Sequence, residues 1–486
     1  MKRSFYIITF GLISIFSGCS LHEDTPLPRH LPTSPSVTPP AAPGANPPST
    51  PQAAYHDPGK WWQLFKQRGL DDWMGKAISK NPSILMAQAR IEQRLATSDK
   101  AWSSLFPNLN LSASNSQTIT GTGDTQVSAA SLSMSLESSY DLDLFGANSS
   151  NLKASELDLL SAVEDYKLNL ANTSGTVAKA WFSYHESSEQ LALAKTSLEA
   201  DQANYEWIKE SYRRGQGQAV NVLVANEQVL GSRLQILSLE TQKEQNVNLL
   251  HQLTGQYPTT FGEGGKLPEL VDLPTAPDSF STRRLTKRPA VAKAIINIKA
   301  QDHRIAAAVA ARFPRLSISA STGTSASQVS GLSDTANLFS NLAGNLTLPI
   351  LDMGGRRAEV RRAEKVLQEL LANYKNSLLQ AYADVQNAMS RAKHSRLKVE
   401  ILKEQIQLSK DRLALTKTGF IKGLILWDQV ITSQQQVYNY QKSYLTERRL
   451  WAEARIDLFI SLGGNWEASY FKQAHAPLHS EIKENP

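Results

Sequence analysis

The sequence predicts a mainly α-helical protein that carries a few β-strands and is built from two copies of one unit. Three observations predict this fold class. Apolar residues recur every 3.5 residues, on average, along two long segments that begin at Leu152 and Val360. Apolar and polar residues alternate from Ala130 to Leu144, with Ser138 the one polar residue on the apolar side. Landmarks of the first half return in the second half at a nearly constant offset.

The first long segment runs from Leu152 to Tyr212. Alternating steps of three and four reach eighteen positions, of which fourteen are apolar or aromatic, and no proline interrupts them. This period is typical of a supercoiled helical seam, and such a helix is roughly 90 Å long at 1.5 Å per residue. The same stepping from Val360 to Leu413 predicts a second helix of this kind. Helices of this length need packing partners along their whole length.

The repeat is carried by four pairs of landmarks at offsets of 207 to 209 residues. Several landmarks at one offset indicate a duplicated unit, predicted as a helix, two strands, a long helix, a turn and a second helix. The pairs are Asn81-Pro82 and Arg288-Pro289, Phe106-Pro107-Asn108-Leu109 and Phe313-Pro314-Arg315-Leu316, Gly146 and Gly354, and Leu253-Thr254-Gly255 and Leu462-Gly463-Gly464.

Composition and the repeat together define six segments. The predicted segments are a signal peptide (residues 1–18), an acylated N-terminus with a Pro-rich tether (19–58), a first repeat (59–256, strands about 107–144), a linker (257–281), a second repeat (282–466, strands about 314–351) and a loose tail (467–486).

The signal peptide ends in a motif that resembles a bacterial lipobox. Lys2 and Arg3 precede an apolar stretch from Phe5 to Phe16, too short to span a bilayer as a helix. Next come Ser17, Gly18 and Cys19, which is the only cysteine of the chain. The resemblance implies that Cys19 carries a covalent lipid and becomes the mature N-terminus. The alternative is a plain secretory peptide with a chance cysteine.

The predicted strands allow two interpretations. Alternation continues in the second repeat through Leu338, Leu342, Leu346, Leu348 and Ile350, and shorter alternating runs precede each strand. A half-buried sheet of a soluble domain alternates in this way, and so does a strand of an outer-membrane barrel. The serine-rich polar face favours a barrel with a water-filled lumen. Four strands cannot close in lipid, so three copies of the chain are expected to supply twelve.

The chain resembles the TolC-like outer-membrane factors, in particular their NodT-type lipoprotein branch, over about residues 59 to 466. The order of the motifs and the duplication make the resemblance specific. The motifs are Trp61-Trp62-Gln63-Leu64-Phe65, the segment Ala87 to Ala101 leading into Leu105-Phe106-Pro107, Asp143-Leu144-Phe145-Gly146, Asp352-Met353-Gly354-Gly355-Arg356-Arg357 and Leu462-Gly463-Gly464-Asn465-Trp466.

The resemblance implies a homotrimer in which a periplasmic α-helical barrel continues a 12-stranded transmembrane β-barrel in the outer membrane, with four strands from each chain. It implies an exit duct that passively conducts substrates delivered by a periplasmic adaptor and an inner-membrane transporter. The alternative is a lipid-anchored coiled-coil spacer or adhesin without a lumen, which would need neither alternating strands nor a strict repeat.

The resemblance also implies an aperture at the helix turns. In the family, a glycine is followed by acidic residues six and nine positions later. Gly419 is followed by Ile425 and Asp428, and Gly215 by Asn221 and Val224, so one acid is kept. Asp428 from three subunits would form an anionic ring, with Asn221 as its polar neighbour. The alternative for Asp428 is an ordinary residue favoured by the helix dipole. Glycines at these turns, Gly215 and Gly419 through Gly423, are expected to cap the long helices.

Four arginines begin the second long helix, where positive charge opposes the helix dipole. They are expected either to contact lipid phosphates or to pair with Glu359 and Glu364. The four are Arg356, Arg357, Arg361 and Arg362.

Other functions are disfavoured by the sequence. The net charge of +6 over 486 residues is small, and no dense basic patch with interleaved aromatic residues predicts nucleic acid as a partner. The sequence contains no HExxH metal motif, no G-x-S-x-G elbow and no phosphate-binding loop. We therefore expect no enzymatic activity, no metal and no cofactor besides the lipid on Cys19. Trp61, Trp62 and Trp73 are expected to be packing residues.

Overall fold

The computed structural model describes residues 60–121, 127–259, 266–268 and 285–462. In this part of the chain no helix is both long and apolar enough to cross a bilayer. Cys19, the tether, most of the linker and the tail after residue 466 lie outside the described residues. The elements, in order, are a 3-10 turn (Trp61–Phe65), α1 (Arg68–Lys80), α2 (Pro82–Ser103), β1 (Asn108–Thr120), β2 (Val127–Leu142), α3 (Ala147–Arg213), α4 (Ala219–Leu253), α5 (Pro289–Ala310), β3 (Arg315–Ala326), β4 (Leu338–Thr347), α6 (Gly355–Ile421) and α7 (Trp427–Ser461).

Helices at corresponding places in the two halves have the same length. α2 and α5 have 22 residues each, α3 and α6 have 67, and α4 and α7 have 35. The two predicted long helices are therefore confirmed. α1 was not predicted.

The seam positions predicted from the 3.5-residue period are largely the buried ones. On α6, every stepped position except Glu364 is buried or half-buried. On α3, only Glu156 and Tyr212 are exposed among the stepped positions. This burial confirms that the period marks the packed side of each helix.

The four strands form one antiparallel sheet in the order β1-β2-β3-β4. Its register aligns the apolar residues of all strands, since Leu111 pairs with Leu136 and Leu316 pairs with both Leu142 and Leu346. Partners directly opposite each other lie on the same face. One face of the sheet is therefore mainly apolar, and the other carries serine, asparagine and the ion pair of Asp141 and Arg315, 2.8 Å long.

The second-repeat strand is shorter than predicted. Alternation continues through Leu348 and Ile350, but β4 ends at Thr347 and both residues lie exposed beyond it. Pro349 lies between them. Because proline has no backbone N–H to donate to the ladder, regular pairing stops before it.

The chain divides into two compact units. The described part of the first unit covers residues 89–121, 127–163 and 293–375, and contains the whole sheet with segments of α2, α3, α5 and α6. Polar contacts hold its helices together: Arg304 on α5 pairs with Asp158 on α3 at 2.5 Å, and Gln301 donates to the carbonyl of Ala363 on α6. Phe145 and Phe313 stack with ring centroids 4.8 Å apart.

The second unit is helical in its described part. One core cluster joins the 3-10 turn and α1 to α3, α4 and α7, and contains Trp61, Trp62 and Trp73. The prediction that these tryptophans are packing residues is therefore confirmed. Helices α3 and α7 approach closely here, because a Cβ added to Gly175 would overlap Cδ1 of Ile460.

Candidate functional site

The turn between α3 and α4 is closed by a glycine in the left-handed conformation. Gly215 has φ +76°, and its N–H donates to the carbonyl of Tyr212 at 2.9 Å. The next N–H, from Gln216, donates to the carbonyl of Ser211 at 2.9 Å. These two bonds form a Schellman motif, which satisfies carbonyls at the helix end. The predicted capping role of Gly215 is confirmed.

The turn between α6 and α7 repeats this geometry, but its left-handed residue is Gly423 and not Gly419. Gly423 has φ +72°, and its N–H donates to Phe420 at 2.9 Å. Leu424 donates to the carbonyl of Gly419 at 2.9 Å. The sequence left both Gly419 and Gly423 as candidates for this cap. Gly423 is the capping residue and Gly419 is not, because α6 continues to Ile421. Gly419 lies in the last helical turn and contributes only a carbonyl to the cap.

Gly419 has a packing role instead. A Cβ added at this position would lie 2.5 Å from Cδ1 of Ile425. Ile425 is part of the connection between α6 and α7. The absence of a side chain at Gly419 therefore gives this connection room to fold back over the end of α6.

An apolar and aromatic cluster joins the two helix turns. Ile208, Trp427 and Val430 are buried in it. The ring of Phe420 lies 5.1 Å from that of Trp427 and 5.5 Å from that of Trp207, centroid to centroid. Val222, near the start of α4, packs against the same cluster. The ends of α3 and α6 and the starts of α4 and α7 therefore lie together.

Sequence reasoning missed this cluster. The signal available was the pair of tryptophans, since Trp207 lies eight residues before Gly215 and Trp427 lies four residues after Gly423. Large aromatic residues beside helix-ending glycines indicate that two turns are packed against each other.

The cluster places both predicted aperture residues at one end of the helices. Asp428 is the second residue of α7 and is exposed. Its Oδ1 accepts a hydrogen bond from the N–H of Gln429 at 2.8 Å, and a carboxylate here is favoured by the helix dipole. Asn221 is the third residue of α4 and is half-buried.

The four arginines at the start of α6 differ in their partners. Arg356 forms an ion pair with Asp352 at 3.8 Å and donates to the carbonyl of Ala311. Arg362 donates two bonds to Glu359, at 2.5 and 2.8 Å, and these bonds lower the pKa of the Glu359 carboxyl. The expectation of pairing with Glu359 is therefore confirmed for Arg362.

Arg357 and Arg361 are exposed, and within the described residues no carboxylate forms an ion pair with either of them.

Asp352 caps the start of α6, because its carboxylate accepts N–H bonds from Arg356 and Gly354, both at 3.0 Å, and these bonds lower the pKa of the Asp352 carboxyl. In the same described ranges, no group of three His, Cys, Asp or Glu residues is arranged to hold a metal ion.

The described architecture matches a known protein family. The family model described as "Outer membrane efflux protein" matches residues 73–256 and again residues 282–464. The chain belongs to this family. The membership confirms the resemblance to TolC-like factors, the location in the outer membrane and the efflux function, and it disfavours the spacer or adhesin alternative.

Individual relatives align with most of this chain. The "Probable outer membrane lipoprotein SilC" of Salmonella typhimurium is 23% identical over 468 residues, which cover 95% of this chain and 98% of SilC. "Outer membrane protein OprJ" of Pseudomonas aeruginosa is 28% identical over 68% of this chain and 69% of its own length. Among solved structures, the Campylobacter jejuni CmeC outer membrane channel superposes with a TM-score of 0.80 at 20% identity, over 94% of this chain and 98% of CmeC. The fold is thus that of an outer-membrane channel.

Proposed function

We propose that this efflux protein is a homotrimeric exit duct, in which three chains together form a 12-stranded transmembrane β-barrel and a periplasmic α-helical barrel. The observation that carries the proposal is the open sheet. β1 and β4 are its two edges, and one face is mainly apolar. An open edge is too costly in lipid, so β4 of one chain pairs with β1 of the next.

The helices support the same assembly. Leu223, Leu230 and Leu237 lie seven residues apart on α4, and each of them is at least 51% exposed. On α6, Ile401, Leu408 and Leu415 have the same spacing and are 56% or more exposed. A heptad stripe of large apolar residues needs a helical partner. A ring of copies brings the α4 stripe of one subunit against the α6 stripe of its neighbour.

The two halves of the chain are proposed to be a duplication. The equal lengths of α2 and α5, α3 and α6, and α4 and α7 support it, as do the two Schellman motifs, whose glycines lie 208 residues apart. In a trimer, each of the two repeats would thus supply six of the twelve barrel strands. Lipid attached to Cys19 would hold the tether at the membrane.

The duct is proposed to act with a periplasmic adaptor and an inner-membrane transporter. CusC, a relative 23% identical over 95% of this chain, is named as a cation efflux system protein. Passive conduction needs no catalytic group, so the proposed role includes neither an enzymatic reaction nor a cofactor other than the lipid. Substrate choice then lies with the transporter.

The aperture of the duct is proposed to lie at the helix turns. Asp428 is exposed in the first turn of α7, and the aromatic cluster brings Asn221 to the same end. In a trimer, three Asp428 carboxylates would form an anionic ring that attracts cations and excludes anions.

Single-channel conductance in a planar bilayer tests the duct and the aperture together. Wild-type protein is expected to give discrete, cation-selective openings. Asp428→Ala should reduce the cation selectivity, because it removes the three charges, while Asn221→Ala should have a smaller effect. Lack of discrete openings from a sample shown to be trimeric by native mass spectrometry would refute the duct. Unchanged selectivity in Asp428→Ala would refute only the aperture.

A further inference from the structure

Asp201 is a charged residue at a seam position of α3. It lies on the 3.5-residue register that mainly packs apolar residues, and it is only 4% exposed. The buried polar residues at the seam positions of α6 are Ser395 and Ser409, and neither is charged. A buried carboxylate in a helical seam is costly unless a charge or several donors compensate it.

Neutral donors from two other helices surround the Asp201 carboxylate. Ser232 of α4 donates to its Oδ2 at 2.6 Å, and Gln228 donates to the same oxygen at 3.4 Å. Gln434 of α7 donates to its Oδ1 at 2.8 Å. Burial raises the pKa of Asp201 despite the opposing effect of the bonds from Ser232 and Gln228. In the part of the chain that the structure describes, no cation forms an ion pair with this carboxylate.

A cavity of about 280 Å³ lies beside Asp201 between α3, α4 and α7. Its wall includes two aromatic residues, Trp427 and Tyr438. The indole Nε1 of Trp427 and the hydroxyl of Tyr438 are buried, and neither has a hydrogen-bond partner among the described residues. Trp427 is 7% exposed. Buried polar atoms of this kind are normally satisfied, which indicates a space built to receive a polar molecule.

The cavity contains one acidic group and no basic group. Tyr438, whose pKa is raised by burial, is the other titratable residue in its wall. The charged residues nearby in sequence on the three helices are exposed and do not line the cavity. They are Glu199 on α3, Glu227 and Arg233 on α4, and Asp428 on α7.

We propose that this cavity is a binding site for a small protonated amine, whose ammonium group pairs with Asp201 and whose body lies against Trp427 and Tyr438. A carboxylate supplies the opposite charge, and aromatic faces attract a cation through their quadrupoles. A volume of about 280 Å³ is at the lower limit of drug-sized pockets, so the ligand is a small amine with one ring or a short chain. The indole and phenol donors remain available to an acceptor atom on the ligand or to a bridging water.

The test is a ¹⁹F NMR titration of the purified full-length protein with 4-fluorobenzylamine, beside 4-fluorobenzyl alcohol as an uncharged probe of similar shape. The amine is expected to bind saturably and the alcohol not to saturate. Asp201→Asn should weaken amine binding at least about tenfold, since the buried charge partner is lost. Glu199→Gln, which removes an exposed carboxylate two residues away, is the matched control and should leave the affinity unchanged.

Two further measurements keep the proposal falsifiable if Asp201→Asn fails to fold. Tyr438→Leu removes an aromatic face from the cavity wall and should bind the amine more weakly than the wild type. In the wild type, binding should weaken toward acidic pH, because protonation of Asp201 removes its negative charge while the amine stays protonated. Equal binding of amine and alcohol would show that Asp201 does not select a cation, and no saturable binding to folded wild type would mean that the cavity holds only water. Either result would overturn the proposal. These readouts do not depend on conductance, so the duct proposal is tested separately.

Discussion

The Schellman glycine of the α6–α7 turn permits a sharp prediction. In Gly423→Ala, a side chain must adopt φ +72°, and the left-handed conformation costs an L-residue about 1–2 kcal/mol. A Cβ at this position meets nothing within 4 Å, so no steric clash adds to this cost. The free energy that holds the cap closed should therefore fall by about 1–2 kcal/mol, which corresponds to a roughly 5–30-fold larger open fraction.

Hydrogen exchange measured by mass spectrometry detects this change locally. The amides of residues 423 and 424 are protected by bonds to Phe420 and Gly419, each 2.9 Å long. Their exchange should accelerate by about 5–30-fold in Gly423→Ala. Peptides from the α3–α4 turn serve as an internal reference in the same sample.

Gly231→Ala is the matched control. Gly231 lies inside α4, its φ is not positive, and a Cβ there also meets nothing within 4 Å. This substitution should stabilise the helix by about 0.5–1 kcal/mol, so exchange should not accelerate. Unchanged exchange of residues 423 and 424 in Gly423→Ala would refute the assignment of the cap.

Three further predictions concern other parts of the chain. Arg357→Gln combined with Arg361→Gln should weaken the affinity for vesicles of anionic lipid by roughly fivefold per arginine. Arg362→Gln should not, because the charge of Arg362 is paired with Glu359; equal affinities of the variants and the wild type would exclude lipid contact. The pKa of Asp201 is raised in the folded state, so the stability of the wild type should decrease as the pH rises above the pKa of an unfolded aspartate. The Tm of Asp201→Asn should therefore rise relative to that of the wild type over this pH range, and a change of the opposite sign would contradict the burial argument. Gly175→Ala should lower Tm, because overpacking against Ile460 costs about 1–3 kcal/mol and exceeds the gain in helix propensity, and a raised Tm would show that Ile460 moves aside freely.

Local periodicity was sufficient to predict the main elements. The 3.5-residue period located α3 and α6, because a helix that buries one side along its whole length must repeat apolar residues at that spacing. The alternation from Ala130 to Leu144 located β2 within a few residues of its ends. Each of these patterns arises from residues near one another in sequence, so no knowledge of the tertiary structure was needed. The strand end at Thr347 was missed because Leu348 and Ile350 continue the pattern past a proline.

The sequence by itself thus determined the presence of the two long helices, the faces of the strands and the family. It could not choose between Gly419 and Gly423 as the cap, because both lie near the helix end and only the backbone conformation distinguishes them. Nor could it show that Arg362 pairs with Glu359 while Arg361, three residues before Glu364, forms no ion pair within the described residues. The aromatic cluster and the environment of Asp201 combine residues from three or four helices that are far apart in sequence. Only the tertiary structure decides such contacts, because the burial of a residue depends on which surfaces the chain packs against it.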